Sequence, residues 1–577
     1  MVRASADFFD KHCGGRFLTM IILSLIGIPM LSALGIYVLG ARKRAVLTWG
    51  PALCSAAELV LSSALLLMPC SLTIPGILLN GLSFKAEGFQ ACYGLIASVL
   101  WLGSTLFSRE YFQTEPEHLR SYWAFVFLTL GAVQGLFLSA DFMTAFCFFE
   151  MLSLCSFPWV MHERTKEAIR AGCTYLAVSV IGGLILFLGL LLLWSDAGTL
   201  CYDLLPSALA EASSWHLFTA EVCILLGFGA KAGMFPIHIW LPKAHPIAPA
   251  PASALLSGIL TKTGIFGIIV ISTRVFSENQ TWGTLLSVLG AITMFLGAFL
   301  ALFSIDLKRT LACSSVSQIG FILIGISMLT LLGEENALAS MGTILHMVNH
   351  STIKLLLFSC AGAIYMKRHT LNLNDLRGYG RNKPWLMILF LVGATSIAGI
   401  PGTSGYISKT LLHESIVEYI EYAHHLGLPT AWFSALEWIF LISGGMTLCY
   451  MTKLFICLFV EKNSDPALAE SYAKKDPYMT ILSGLCLTAP ALVLFLMGIR
   501  PHQIMDRIAE LARPFLFGAE LEHTLHYFSL TNLKGSAISI AIGVVLYVVL
   551  MRNVFMKRTE GADAGAQKEY VNLWPER

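Results

Sequence analysis

Residues 227–264 read GFGAKAGMFPIHIWLPKAHPIAPAPASALLSGILTKTG, and this stretch decides the fold. A helix needs about 20 mainly apolar residues to cross a bilayer. The runs 217–239 and 252–273 meet that length, and the quoted stretch joins the end of one to the start of the other. Each run holds an interior lysine, Lys231 and Lys262. Gly227, Gly229, Gly233 and Pro236 surround Lys231, so a straight helix is not expected there. Unwound backbone at membrane depth is tolerated only where protein buries it or water reaches it. The stretch therefore predicts two membrane helices, the first of them broken, with a charged group inside each.

The whole chain agrees. It has 577 residues, 56% hydrophobic and 13% charged. A soluble domain carries about 25% charged residues, roughly twice that share. Such a chain cannot solvate its own surface, which excludes soluble enzyme classes. Lys+Arg 38 against Asp+Glu 36 leaves +2, so there is neither a basic face for nucleic acid nor an acidic tail. The 14 cysteines are scattered, mostly inside apolar runs (Cys147, Cys155, Cys223, Cys360), as small buried hydrophobes rather than disulfide or iron–sulfur frameworks. There is no dinucleotide glycine fingerprint and no phosphate loop.

Scanning outward from 227–264 gives about fifteen spans: 17–40, 46–68, 88–107, 121–140, 142–160, 170–194, 217–239, 252–273, 282–304, 310–332, 337–366, 385–412, 432–458, 478–498 and 534–551. The first is too long for a signal-peptide core and is kept as a span. Basic clusters follow the odd-numbered spans: Arg42-Lys43-Arg44, Arg164/Lys166/Arg170, Lys308-Arg309 and Lys367/Arg368/Arg377/Arg381/Lys383. The even-side loop 195–216 has no Lys or Arg. By the positive-inside rule the N-terminus lies outside and the C-terminus in the cytoplasm.

An ionisable group inside a span costs about 2.5–3.5 kcal/mol on insertion scales, so it needs a partner or a task. The candidates are Glu150, Lys231, Lys262, His346, His350, Lys354 and Lys409. Glu150 lies in FMTAFCFFEMLSLCSF (142–157). His346, His350 and Lys354 fall at i, i+4 and i+8, on one helix face. Lys409 follows a second break-prone run with Gly399, Pro401, Gly402 and Gly405. Two Gly/Pro-interrupted spans at matching positions point to a transport path and an inverted repeat, spans four to eight against nine to thirteen. A single lysine can snorkel or pair structurally. A row of four lysines with a glutamate and two histidines is harder to explain that way. HMVNH has helical metal-ligand spacing but lacks the glutamate of HExxH and any evident third ligand, so no metal site is expected. Lys308 and Arg309 read as anchors at the cytoplasmic interface.

Such a row suits proton movement. Burial disfavours a charged lysine, and a nearby carboxylate favours it. A lysine whose carboxylate neighbour can approach or retreat is therefore a switchable proton carrier. Histidines titrate near neutral pH and can relay between lysines. Glu150 is the only carboxylate read deep in the first half, which makes it the natural partner of Lys231. The order along the membrane would be Lys231, Lys262, His346/His350/Lys354, Lys409.

At these residues the chain resembles the antiporter-like subunits of the respiratory complex I superfamily. That group includes the L, M and N subunits of NADH–quinone oxidoreductase, the large membrane subunits of energy-converting hydrogenases and formate hydrogenlyase, and the Mrp antiporters. The stretch 227–264 resembles the family's most specific signature. SIDLKRTLACSSVSQIGFI (304–322), ILHMVNHSTIKLLLF (344–358) and GIPGTSGYISK (399–409) resemble three more. GLSFKAEGFQACYGLIASVLWLGSTLFSREYF (81–112) resembles the start of the third span, with Glu87 where the family usually has Asp. The resemblance runs from about residue 75 to about residue 460. It implies that Glu150 matches the fifth-span glutamate, Lys231 the lysine of the broken seventh helix and Lys262 the eighth-span lysine. His346, His350 and Lys354 match the eleventh-span relay, and Lys409 the broken twelfth helix, where some members have Glu. The C-terminal end departs from the L subunit: only a polar stretch (about 499–533), one span and a tail ending YVNLWPER follow, which favours a hydrogenase-type or M-like member.

The expected protein is thus an all-α polytopic membrane bundle of about 14–15 transmembrane helices, with two inverted five-helix repeats and two broken helices. Its expected segments are 1–118 (three N-terminal helices), 119–276 (first repeat), 277–460 (second repeat) and 461–577 (C-terminal helices and tail). The resemblance implies a proton-translocating subunit of a redox-driven pump in the inner (cytoplasmic) cell membrane, without a redox centre of its own. Iron–sulfur clusters, and NiFe or flavin, would belong to partner subunits of a peripheral arm and neighbouring membrane subunits. An Mrp-type Na+/H+ antiporter subunit is the first alternative, a structural membrane subunit the second.

Overall fold

The computed structural model describes residues 15–77, 81–113, 118–210, 215–474, 477–521, 525–557 and 568–574. The N-terminal residues 1–14, on which the terminal orientation bears, and the last three of the YVNLWPER tail lie outside these. Each of the fifteen expected spans overlaps a helix, and 252–273 and 385–412 each cover two. Among the described residues, twelve helices are long and apolar enough to cross a membrane. The other three expected spans explain themselves. Leu119–Phe137 is 19 residues long and carries Arg120 and Gln134. Trp215–Ala232 stops at the first break. The expected span 385–412 is divided into Pro384–Ala398 and Ser404–His425. The helical class gains two strand pairs that were not foreseen: Cys70–Ile74 with Leu82–Ala86, Cys70 opposite Ala86, and the short pair Met556–Lys557 with Glu569–Tyr570, both antiparallel.

The chain forms two compact units. The first comprises Met1–Ala232, Ile259–Phe276 and Glu510–Phe517. Its longest helix, Lys166–Ala197, starts where Thr165 Oγ1 accepts the Ala168 N–H, carries Glu167 in its first turn, and ends at Gly198 in the left-handed region. It packs along Trp215–Ala232 and beside Phe142–Val160. Thr261–Arg274 also packs on Trp215–Ala232.

The second unit comprises Gly233–Gly258, Ser277–Ala509 and Gly518–Arg577. Gln280–Phe303 and Leu307–Leu332 form an antiparallel pair, and Asp306 Oδ1 caps the second by accepting the Arg309 N–H at 2.7 Å. Leu307–Leu332 and Ala337–Arg368 are buried along almost their whole length and make the core. Ile481–Ile499 and Leu530–Leu546 instead turn large apolar side chains outward, with Ile481 85% and Leu530 88% exposed. Such residues are tolerated in number only against hydrocarbon.

Two breaks interrupt the spans. After Ala232, Gly233 takes φ +80 and Pro236 offers no N–H, and the Phe235 N–H donates to Thr293 Oγ1 at 3.0 Å. After Ala398, Gly399 takes φ +77. A third device is Lys453, fully buried on Ala431–Phe459. It donates to the carbonyls of Ala301, Leu302 and Ser304 at 3.0, 3.0 and 2.8 Å. These carbonyls end the Gln280–Phe303 helix and have no intrahelical donor, so the lysine caps it. Lys453→Met is expected to lower stability by about 1–3 kcal/mol and to leave ion transport in place. An apparent melting temperature in detergent reads the first effect. Lost transport at unchanged stability would instead put Lys453 on an ion path.

Candidate functional site

The first unit holds Glu150, Lys231 and Lys262. Lys231 sits in the last turn of Trp215–Ala232, where the carbonyl end of the helix dipole favours a cation. Its Nζ donates to Tyr175 Oη at 2.8 Å and to Ser179 Oγ at 3.4 Å, both on Lys166–Ala197. Tyr175 Oη is also hydrogen-bonded to Ser156 Oγ at 2.5 Å, on the helix that carries Glu150. Glu150 and Lys231 act on each other electrostatically without a direct bond. Among the described residues no salt bridge joins Glu150 to Lys231, and hydroxyls hold the lysine instead. The carboxylate acts on it only across a gap. Glu150 Oε1 is buried without a hydrogen-bond partner among the described residues and lies against Gly183, where any Cβ would overlap it. Lys262 is fully buried two residues beyond a π-turn at Leu256–Leu260, with Thr261 Oγ1 at 3.4 Å. Gly264, two residues on, packs so closely on Phe228 that a Cβ there would overlap its carbonyl. Lys231 and Lys262 therefore stand on touching helices. π-turns recur at functional sites because they free backbone groups locally.

The second unit holds His346, His350, Lys354 and Lys409. The first three share one buried face of Ala337–Arg368. His346 Nδ1 meets Ser408 Oγ at 3.0 Å and its Nε2 meets Gln318 Oε1 at 3.1 Å. Asn349 Nδ2 donates to Ser404 O and Ser408 Oγ at 2.8 and 3.0 Å. Lys354 Nζ donates to Leu311 O at 2.8 Å and Ser314 Oγ at 2.5 Å. Lys409, one residue after Ser408, donates to Ile397 O at 2.8 Å and lies over the Phe321 ring, 4.5 Å from its centre. It thus caps the first half of the broken helix across the break. The seven candidates fall into two groups, three in one unit and four in the other.

Several polar groups escaped the reading of the sequence. Glu58 and Glu221 are buried carboxylates in the first half, so Glu150 is not the only one there. Both stand as single letters inside apolar runs and could have been found by the criterion that found Glu150. Lys308 is not an interface anchor: it is 2% exposed and donates to Pro246 O and Ala248 O at 3.3 and 2.5 Å. His245, within the deciding stretch, is fully buried against Phe358, with both ring nitrogens lacking a hydrogen-bond partner among the described residues. Arg377 is a buried ion-pair partner of Glu461 at 3.2 Å rather than a solvated loop charge. Tyr175, Ser179, Gln318 and Ser408 carried no signal, because helical spacing shows a face but not the helix that meets it.

The chain belongs to the NADH:quinone oxidoreductase/Mrp antiporter transmembrane family, whose model matches residues 139–431. Hydrogenase-4 component B of Escherichia coli K12 is 32% identical over 344 residues, 58% of this chain and 51% of that protein. A Na(+)/H(+) antiporter subunit of Alkalihalophilus pseudofirmus is 31% identical over 334 residues, 58% of this chain and 66% of that protein. The chain therefore spans about half to two thirds of the length of these relatives. In fold it is similar to a chain of the archaeal membrane-bound sulfane sulfur reductase, with TM-score 0.75 and 19% identity over 90% of this chain and 99% of that one. It is also similar to a chain of the Mrp complex from Dietzia sp., with TM-score 0.74 and 20% identity over 91% and 100%. It is a multi-pass membrane protein of the antiporter-like kind.

Proposed function

We propose that this chain is the proton-translocating membrane subunit of a redox-driven ion pump, hydrogenase-type or complex I-type. The observation that carries this reading is the setting of Lys231 and Lys409. Each is buried beside a helix break, and each is held by neutral oxygens with no ion pair among the described residues. A buried ammonium without a counter-ion is costly to keep charged, so its proton is easily given up when a nearby charge moves. Glu150, close to Lys231 but not bonded to it, is the charge that would move. Lys262 and the His346/His350/Lys354 face are the intermediate carriers, and Lys409 the last. The segments 119–276 and 277–460 are proposed as the two repeats that hold these carriers, between the N-terminal 1–118 and the C-terminal 461–577. Electrons, iron–sulfur clusters and any NiFe or flavin group belong in this reading to partner subunits.

The second reading is a subunit of an Mrp-type Na+/H+ antiporter, favoured by the 31% identity to the Alkalihalophilus protein. Purifying the native complex and identifying its components tests both. Hydrogenase or quinone-reductase components support the pump, antiporter components alone support the antiporter, and a chain that purifies alone overturns both. Orientation in the cell membrane is tested separately. The proposed topology places the N-terminus outside and the 367–384 loop in the cytoplasm. Arg377 is buried and a poor reporter, so Lys367→Cys, at an exposed position, is preferred. Lys367→Cys is expected to resist an impermeant thiol reagent in sealed cells and to react in inverted vesicles, against a background without reactive cysteines. Labelling in sealed cells overturns the topology.

A further inference from the structure

Beyond Lys409 the same helix carries a polar cluster that the row of seven does not use. His413 is one turn further on, at i+4, hence on the same face of Ser404–His425. Its Nδ1 meets Glu414 Oε1 at 3.1 Å, and its Nε2 meets Glu437 Oε1 at 3.2 Å, on the Ala431–Phe459 helix. A ring bonded to carboxylate oxygens through both nitrogens donates from both and is therefore the imidazolium form. Lys409 and His413 line one cavity of about 40 Å3, closed by Asn532, Ser536 and Ser539 of the Leu530–Leu546 helix. A water needs about 10–15 Å3 of such space and two to four polar partners. Lys409, Asn532 and Ser536 supply those partners, and His413 joins them once its Nε2 proton has left. Gly535 leaves room for the ring: a Cβ there would stand 3.3 Å from His413 Cε1 and 3.4 Å from its Nδ1. The side chains become more exposed along this line. Lys409 is 8% exposed, while the His413 and Glu437 side chains are 14% and 31% exposed.

We propose that His413 and Glu437 form the release end of the relay, taking protons from Lys409 to the outer surface. This rests on the reading of Lys409 as the last carrier. The resident imidazolium first passes its Nε2 proton to the Glu437 carboxylate, which turns away and loses it to bulk water. The vacated Nε2 of the now neutral ring then takes one proton through a cavity water from the Lys409 ammonium, leaving the amine and restoring the imidazolium. Glu414 keeps the proton on Nδ1 and so fixes the ring. One proton enters and one leaves. The other ionisable groups facing this cluster are Lys534, which acts on Glu437, and Glu418, one turn beyond Glu414.

The test uses the native complex in inverted vesicles with a pH-sensitive dye, driven in turn by NADH, H2 and a Na+ gradient. His413→Ala, His413→Asn and Glu437→Gln are compared with Lys409→Ala, with the composition of the complex checked in each. All three are expected to slow proton transport by at least about tenfold, as loss of a proton-transfer group does, and Glu437→Gln should flatten the dependence on outer-side pH. Asparagine keeps a hydrogen bond but carries no proton. Full activity in His413→Asn beside a dead His413→Ala would therefore make the residue structural and overturn the proposal. Near-normal transport in His413→Ala and Glu437→Gln with Lys409→Ala inactive would also overturn it, leaving Lys409 as a carrier with another exit. If Lys409→Ala itself keeps full transport, the reading of Lys409 fails and this proposal with it.

Discussion

Lys231→Ala is expected to lower proton transport by about 10²-fold or more while the complex still assembles. The fold should survive, because the substitution removes a buried ammonium rather than leaving one unpaired. Its hydroxyl partners do not depend on it alone: Tyr175 stays bonded to Ser156. What is lost is the charge that Tyr175 and Ser179 hold in that turn. Glu150→Gln is expected to fail comparably for a different reason. The amide has nearly the same shape and fits against Gly183, but it cannot change its charge. If the two residues act as one switch, the double variant should cost little more than either single one, a departure from additivity well above about 0.5 kcal/mol. Gly183→Ala supplies an intermediate case. Its Cβ pushes away the far end of the Glu150 side chain without altering its chemistry, so transport should be reduced but not abolished. Dye-monitored proton uptake in proteoliposomes, with the composition of the complex verified, measures all four. Additive losses in the double variant would dissolve the switch into two independent effects.

Much of this site was visible in the sequence for one reason. A charge in an apolar run is expensive wherever it stands, so Lys231, Lys262, Lys354 and Lys409 announced themselves before any neighbour was known. The helix breaks were visible on the same footing, because Gly233, Pro236, Gly399 and Pro401 act on the backbone locally. What the neighbours do was not visible. Lys308 and Lys453 lie near the ends of apolar runs and resemble interface anchors in sequence. In the fold both cap the carbonyl ends of other helices, Trp240–Ile247 and Gln280–Phe303. Capping across chain distances of 60 and 149 residues leaves no periodic trace.

Glu58 and Glu221 show a different failure. Each was absorbed into a span because the surrounding leucines outweighed it, although the cost argument applies to them equally. The Cys70–Ile74/Leu82–Ala86 hairpin was missed because five-residue strands show too few alternations to compete with the helical runs around them. The pairing of Glu150 with Lys231 was inferred from charge alone. The fold adds Tyr175 and Ser179 on the lysine and leaves a gap to Glu150 that a small movement can close.

At the other end of the row, Lys409→Ala is expected to abolish transport and Lys409→Glu to retain part of it with an altered pH profile. The lysine donates to Ile397 O, at the carbonyl end of Pro384–Ala398. That end of a helix attracts a cation and repels an anion. An amine in this place can donate in either protonation state. A carboxyl group can donate only when protonated, and once ionised it meets the helix carbonyls as a like charge. Burial also disfavours the charged form of each group, which is the protonated lysine but the deprotonated glutamate. Because burial acts in opposite directions on the two groups, the pH profile of Lys409→Glu should differ from that of the native chain. The family resemblance, with Glu in some members at this position, implies that a carboxyl can serve in such a place when its surroundings suit it. Here the carbonyl of Ile397 and the face of Phe321, 4.5 Å from the ammonium, are built for a cation. Proton uptake into proteoliposomes across a pH series decides the matter. Full activity with an unshifted profile in both variants would remove Lys409 from the path, while a dead Lys409→Glu beside a dead Lys409→Ala would mean that this site accepts a proton only on nitrogen.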